Sequence, residues 1–287
     1  MPDNPKYKST GKIDVDNLYT GVTPADYVRF LYEHDYRLPQ HATPIMKATL
    51  AQIRNARGKD NLRILDLGCS YGIMSAFLRH ALGLGDLYAH FHSGYDITRP
   101  LEQIVRADIG FYQANRSDDG LTIIGIDPSE AAIAYAKSTG LIDNSIALSL
   151  EGEAPVPEAA CAKMSGLDLI FSTGVIGYAG VRTITRLLEL NAQSRPWVLN
   201  FVLRGVDYYP IAQYLTGQGY VTARDRNVYR QRRFASAEER ARWLDNLRRN
   251  GVDAAGYETT GYSCAELFLS RPASEAAKPP AFTPALI

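Results

Sequence analysis

What this sequence has little of narrows its class first. Three cysteines, Cys69, Cys161 and Cys264, stand far apart in 287 residues; so few, and an odd number, exclude a disulfide framework and fit a reduced compartment. No charge of one sign dominates, because 31 basic and 31 acidic residues cancel, and no global field draws the chain to nucleic acid or to an anionic membrane. No run approaches the ~20 apolar residues of a membrane helix, and the opening MPDNPKYKSTGK has no apolar stretch of a signal peptide. The expectation is a soluble, cytoplasmic protein with no membrane partner and with nucleic acid disfavoured. Histidines number five, and His90 and His92 have no supporting Cys or acidic cluster, so no metal site is expected.

What is present suits one large core: 46% of residues are hydrophobic and 22% charged, ordinary proportions for a globular chain of this length. Residues 1–20 are polar and read as a flexible segment unless docked as a lid. Residues 21–60 read as a helical cap of two helices broken around Leu38-Pro39. Residues 272–287, rich in Ala and Pro, read as a disordered tail. Between them, 61–271 alternates short apolar strands with helices. Strands are expected at Arg63–Leu67, Leu121–Ile126, Ser145–Leu150, Leu167–Phe171, Trp197–Leu203, Tyr220–Ala223 and Ala265–Ser270. Helices are expected at Ile73–Leu82 and Ser129–Ser138 and around Pro210–Thr216. That alternation predicts an α/β fold, a doubly wound and mostly parallel sheet with ligands at one strand edge. Two stretches break it, 79–120 and 224–261. They are read as insertions with helices near Thr98–Tyr112 and Ala237–Arg249.

The segment ILDLGCSYGIMSAFL carries the most chemistry. A strand ends at Asp66-Leu67, turns through Gly68, Cys69, Ser70, Tyr71 and Gly72, and opens a helix at Ile73. Glycine tolerates φ > 0 and close approach of a ligand, and the helix start offers unpaired N–H groups. Asp66 can accept from a ligand ammonium. A dinucleotide fingerprint needs G-x-G-x-x-G; here Ser70 replaces the middle glycine, and Asp66 would face a pyrophosphate. In IIGIDPSEAAIAYAK a second strand ends at Asp127, whose carboxylate suits ribose hydroxyls, with Pro128 beside it for adenine. Asp127 lies 61 residues after Asp66 where roughly 20 is usual, so an insertion precedes the second strand. Leu150 and Glu151 follow the third strand and are candidates for adenine contact, with a surface turn as the plain alternative.

Together these segments resemble the class I (Rossmann-like) S-adenosylmethionine (SAM)-dependent methyltransferases over roughly Leu62–Arg271. Asp66, Gly68 and Gly72 match that family's glycine motif, with Ser70 a departure. Asp127 matches its ribose acid, and Asp168–Thr173 its fourth strand. The resemblance implies SAM as cofactor and a seven-stranded sheet whose last strand runs antiparallel. It implies a methyl transfer to a small-molecule acceptor, in specialised metabolism or elsewhere. It also places the acceptor above the ends of the fourth and fifth strands. There Ser172 and Thr173 are candidates for the methionine part, and Tyr178, Asp207, Tyr208 and Tyr209 for the substrate.

Each of these carries a plainer reading. Among 18 tyrosines any one is more often packing than cation–π partner. Tyr178, His34 and His41 are the catalytic candidates, the histidines as bases if the acceptor carries a proton, against surface or capping roles. Nine arginines fall between Arg224 and Arg249. Arg232 and Arg233 could hold a substrate carboxylate or simply be solvated. Cys69 reads as a small packing residue. Two other functions stay open. One is a SAM-consuming enzyme resembling azetidine-2-carboxylate synthases, in which the SAM amine displaces methylthioadenosine. The other is a non-catalytic SAM-binding protein. The oligomeric state is open too, a homodimer among the options.

Overall fold

The computed structural model describes residues 16–92, 95–117 and 120–285. A 3-10 turn at Asp16–Tyr19 leads to helices α1 (Ala25–Glu33) and α2 (Leu38–Arg57). They are separated where Pro39 takes a first-turn position of α2, its missing N–H costing nothing there. The sheet begins with β1 (Leu62–Leu67), followed by α3 (Ile73–Arg79), α4 (Leu84–His92) and α5 (Leu101–Ala114). Next come β2 (Leu121–Asp127), α6 (Glu130–Ser138), β3 (Asn144–Ala147), α7 (Glu158–Lys163) and β4 (Leu169–Thr173). Then come α8 (Val181–Leu190), β5 (Trp197–Leu203), α9 (Tyr209–Gly217) and β6 (Tyr220–Arg233). The chain closes with α10 (Ala237–Arg249), β7 (Tyr262–Pro272) and β8 (Pro284–Ala285).

The strand order is β3-β2-β1-β4-β5-β7-β6-β8. Strands β1 to β5 pair in parallel, and β7 pairs antiparallel with both β5 and β6. This is the expected mostly parallel sheet with an antiparallel β7, plus one short extra edge strand. Every residue of WVLNFVL in β5 is buried, as a central strand covered on both faces requires. One apolar layer joins α2, α3 and α6 to one face, and a second packs the segments around α8 and α9 on the other. The order reverses between β1 and β4, and at such a switch point the strand ends open a crevice.

The insertion at 79–120 is two helices bolted to the core by one buried acid. Asp108 on α5 is fully buried and lies 2.7 Å from His90 Nε2 on α4. It also accepts from the hydroxyls of Tyr95 and, on α6, Tyr135, both at 2.9 Å. The second insertion begins later than expected. Strand β6 does not end at Ala223 but runs to Arg233, with register shifts between Arg224 and Val228 and between Arg230 and Arg232. Those bulges break the alternation that would announce a long strand. At its far end, where it still pairs with β7, β6 is tied to the cap: Arg37 N donates to Gln231 O, and Arg233 N to His34 O, both at 2.7 Å.

The stretch expected as a disordered tail is instead placed against the body over 273–285. Glu275 accepts from Trp197 Nε1 at 2.6 Å and from Arg57 Nε at 3.2 Å, and β8 pairs with Arg224 and Asp225 of β6. Of the opening segment expected to be flexible, residues 1–15 lie outside the described residues; 16–20 cross the crevice. Among the described residues no helix is long and apolar enough to span a membrane.

Candidate functional site

A cavity of about 660 Å³ opens at the C-terminal ends of β1, β2 and β4, within the ~300–1,000 Å³ of small-molecule and cofactor sites. Its floor is the turn after β1. Gly68, Ser70 and Gly72 all have positive φ, at 73°, 50° and 79°. A Cβ on Gly68 would strike Val175 Cγ2 at 2.6 Å, so the packed loop after β4 demands glycine as firmly as the dihedral does. Cys69 packs against Gly125, where a Cβ would lie 2.7 Å from the sulfur. Burial pushes this thiol well up, and nearby Asp66 adds to the shift. It is a packing group.

Ser70 is the odd member of the turn. A non-glycine residue with positive φ carries strain, and such strain collects at ligand sites. Ser70 lines the cavity; its N–H donates to Asp127 Oδ2 at 2.9 Å, while its hydroxyl is buried with no partner among the described residues. Buried hydroxyls rarely stay unpaired, so this one is a polar group that the turn itself leaves unsatisfied.

Two carboxylates face the same space. Asp66 is 2% exposed and accepts from Ser75 Oγ at 2.9 Å. Burial pushes its carboxyl up to about 7; Ser75 opposes the shift and the charge of Asp127 adds to it. Asp127 accepts from Ser129 N at 2.9 Å as well as from Ser70 N. Burial raises it too, against those two bonds. Among the described residues neither acid is paired with a cation. Both can stabilise a ligand that brings the missing partner.

Pro128, Leu150, Glu151 and Thr173 also line the cavity. Glu151 is partly committed: its Oε1 accepts from Gly180 N at 2.5 Å and from Thr183 N and Oγ1 at 3.2 and 2.7 Å, capping α8. Burial would raise this acid, but those bonds outweigh it and hold it low. Tyr178 stands at the rim, 49% exposed.

The remaining sequence candidates are placed elsewhere, each for a visible reason. The Tyr71 hydroxyl donates away from the cavity, to Gly21 O at 2.8 Å and Leu18 O at 3.1 Å. Gly72 sits against Ala136 and Leu141. Ser172 donates to Asn200 Oδ1 at 2.6 Å inside the sheet. Tyr208 is buried on the far side, stacked on Phe268 and accepting from Asn200 Nδ2 at 3.0 Å. Asp207 caps α9 through Tyr209 N, and Tyr209 is 66% exposed. His34 bonds Phe30 O through Nδ1, and His41 faces Tyr229; neither lines the cavity. Arg233 is exposed, 3.6 Å from Asp35. Arg232 does reach the wall, but its guanidinium is spent on Glu239, at 2.6 and 3.0 Å, with both groups buried. An arginine so paired has no fork left for a substrate carboxylate.

The roof has no counterpart among the sequence candidates. Tyr19 and Thr20 come from the opening segment; Tyr27, Phe30, Leu31, Tyr36 and Pro39 come from the cap. Besides the Tyr71 bonds, Ser129 Oγ holds Tyr19 O at 2.5 Å. The Tyr27 ring lies 5.1 Å from that of Tyr19. Tyr36 shares a hydrogen bond with Thr173, and burial pushes its phenol up. The spacing of Tyr27, Phe30 and Leu31 signals one helix face, yet the same pattern serves an ordinary core. Gln231, also on the wall, carries no sequence signal. Among the described residues no three His, Cys, Asp or Glu side chains gather at metal-binding distance.

No family model matches the chain, and no curated protein does. Solved structures resemble it at low identity. The plantazolicin methyltransferase BamL, in complex with a triazolic desmethylPZN analog and SAH, is 13% identical with a TM-score of 0.43, over 89% of this chain and 93% of that one. A SAM-dependent methyltransferase from Geobacter sulfurreducens in complex with S-adenosyl-L-homocysteine is 16% identical, TM-score 0.36, over 79% and 90%. The [4+2]-cyclase SpnF is 12% identical, TM-score 0.37, over 77% and 80%. These are likenesses of fold, that of the SAM-dependent methyltransferases, and in this chain the fold is a mostly parallel Rossmann-like sheet with a helical cap over the cavity edge.

Proposed function

We propose that this protein is a SAM-dependent methyltransferase acting on a small-molecule acceptor. The observation that carries the proposal is the pair Asp66 and Asp127, two desolvated acids without a cation, facing one cavity across a strained glycine turn. SAM brings an ammonium for the first and two ribose hydroxyls for the second. Ser70, with its orphan hydroxyl, lies between them in sequence and lines the same cavity. Pro128 and Leu150 would flank the adenine, and Thr173 the methionine part.

Bound SAM supplies a methyl group on a positively charged sulfur, ready for attack. What the chain supplies is position and exclusion of water. Transfer needs nucleophile, carbon and sulfur in line, and holding them so contributes most of the acceleration. Tyr19, Tyr27, Phe30 and Tyr36 close the roof, and each ring that faces the sulfonium contributes ~0.5–2 kcal/mol of cation–π attraction. The acceptor is a compound small enough to share this roofed cavity.

One observation favours a second reading. His34 and His41 lie off the cavity, and at its amino-acid end the lining acid is Asp66. An acid beside the SAM ammonium can take its proton. The freed amine would then attack Cγ as the C–S bond breaks onto sulfur, closing an azetidine ring and releasing methylthioadenosine.

Incubating the purified protein with SAM alone, followed by mass spectrometry, separates the two. No turnover until an acceptor is added, then S-adenosylhomocysteine, supports the methyltransferase. Methylthioadenosine with a C4 cyclic amino acid supports ring closure and ends the first reading. Tight SAM binding with neither product across an acceptor panel leaves a binding protein. Asp127→Ala tests the site itself: SAM affinity should fall about tenfold or more as two charge-assisted bonds are lost, with the folded state intact by circular dichroism. Unchanged affinity would mean that another group holds the ribose.

A further inference from the structure

With SAM in the cavity, the ammonium of its amino-acid end has a partner in Asp66, and the neighbouring carboxylate still needs one. We propose that Gln231 is the fixed amide donor that receives this carboxylate, so that Asp66 and Gln231 clamp a zwitterion between them. The proposal rests on the cofactor reading.

Gln231 sits near the end of β6, where the strand still pairs with β7, and is 5% exposed on the cavity wall. It is held twice. Its carbonyl accepts from Arg37 N at 2.7 Å, and its side-chain Oε1 accepts from Ser263 Oγ at 2.9 Å. With Oε1 anchored, Nε2 is turned over Gly174, where an added Cβ would lie 3.0 Å from it. Gly174 directly follows Thr173 at the end of β4. The two Nε2 hydrogens have no acceptor among the described residues, although the side chain is buried. A donor held in a fixed direction at the cavity wall, on an otherwise buried side chain and with no acceptor, is a recognition element waiting for an oxygen.

SAM carries a sulfonium, an ammonium and a carboxylate, and the two acids on the wall, Asp66 and Asp127, can meet only its positive and hydroxyl groups. Arg232, the arginine on the wall, is neutralised by Glu239. A carboxylate or carbonyl oxygen could also come from a second substrate, and the choice of ligands separates the two sources.

The test is calorimetric titration of the full chain and of Gln231→Glu and Gln231→Met. The four ligands are SAM, S-adenosylhomocysteine, decarboxylated SAM and methylthioadenosine. Glutamate keeps the acceptor for Ser263 but has no donor. Methionine keeps the length and leaves Ser263 Oγ with Arg232 O, at 3.2 Å, as acceptor. Thermal melts check that each variant folds, and either one suffices. SAM and S-adenosylhomocysteine should bind about tenfold more weakly or worse. The two ligands that lack the carboxylate should bind as before. Unchanged SAM affinity would overturn the proposal and give the amide to a second substrate. Equal loss for all four ligands would overturn it as well, because the residue would then only shape the pocket. Wild-type protein that binds none of the four would refute the cofactor reading itself, before any variant is made.

Discussion

At the scale of single residues, the chemistry of this site is concentrated in acids that the protein leaves uncompensated, Asp66 above all. Burial lifts its carboxyl from 3.8 to about 7, so the folded protein holds a proton there that the unfolded chain has already released. A raised acid of this kind contributes stability that is fully present below about pH 4 and is lost as pH rises through about 7. The protein without ligand should therefore lose stability between about pH 4 and 7 and level off above, and Asp66→Asn should flatten that part of the profile in urea unfolding. SAM binding shows the opposite trend, because an ammonium favours the ionised acid. Its affinity should rise by up to about tenfold per pH unit toward 7 and then level off. Calorimetry that finds affinity independent of pH in this range would remove Asp66 as the ammonium partner. Both acids are legible in the sequence, since each ends an apolar strand beside a glycine or proline turn. Tyr208 and Arg232 look equally chemical there. Only the fold shows that one packs on Phe268 and the other is consumed by Glu239.

Elements explain how the cavity is roofed. The opening segment is pinned over it by hydroxyls from the turn after β1 and the start of α6, Tyr71 reaching Gly21 O and Leu18 O, and Ser129 reaching Tyr19 O. Tyr71 thus holds the strap and does not itself line the cavity. Tyr71→Phe keeps the ring contacts with Tyr27 and Tyr135 and removes one donor, worth about 0.5–1.5 kcal/mol. SAM should then dissociate a few-fold to about tenfold faster, and proteolysis at residues 16–23 should quicken. Equal rates in stopped-flow release would mean the strap does not gate the cavity. Little in the residues themselves announces this arrangement, because a polar segment with Tyr and Gly reads as loose until its docking site is known. Strand β5 is legible to the residue because its apolar run is continuous. Most of β6 is not, because two bulges and five arginines hide its pairing.

Across the whole molecule the two edges of the sheet do different work. The C-terminal edge carries the cavity, with its strained turn and unpaired acids. The opposite edge is where polar groups are satisfied. Asp168, just before β4, accepts from Arg57 at 3.0 Å, Lys59 at 2.9 Å and Arg63 N at 3.0 Å. Burial raises that acid, and these bonds outweigh it and hold it low. Arg57 also meets Glu275, which accepts from Trp197 Nε1 at the start of β5. Glu275 therefore joins the returning tail to α2 and to the centre of the sheet. Glu275→Ala strands a buried indole N–H and removes one partner of a mostly buried guanidinium, at a cost of about 1.5–3 kcal/mol. For a chain of this size the melting temperature should fall by several degrees, at ~2–4 °C for each kcal/mol. Because the change is made at the edge away from the cavity, SAM affinity measured well below the melting transition should stay within about twofold of wild type. A melting temperature that does not move would mean the tail only rests on the body. A loss of SAM affinity without a loss of stability would mean the two edges are coupled through the strands between them.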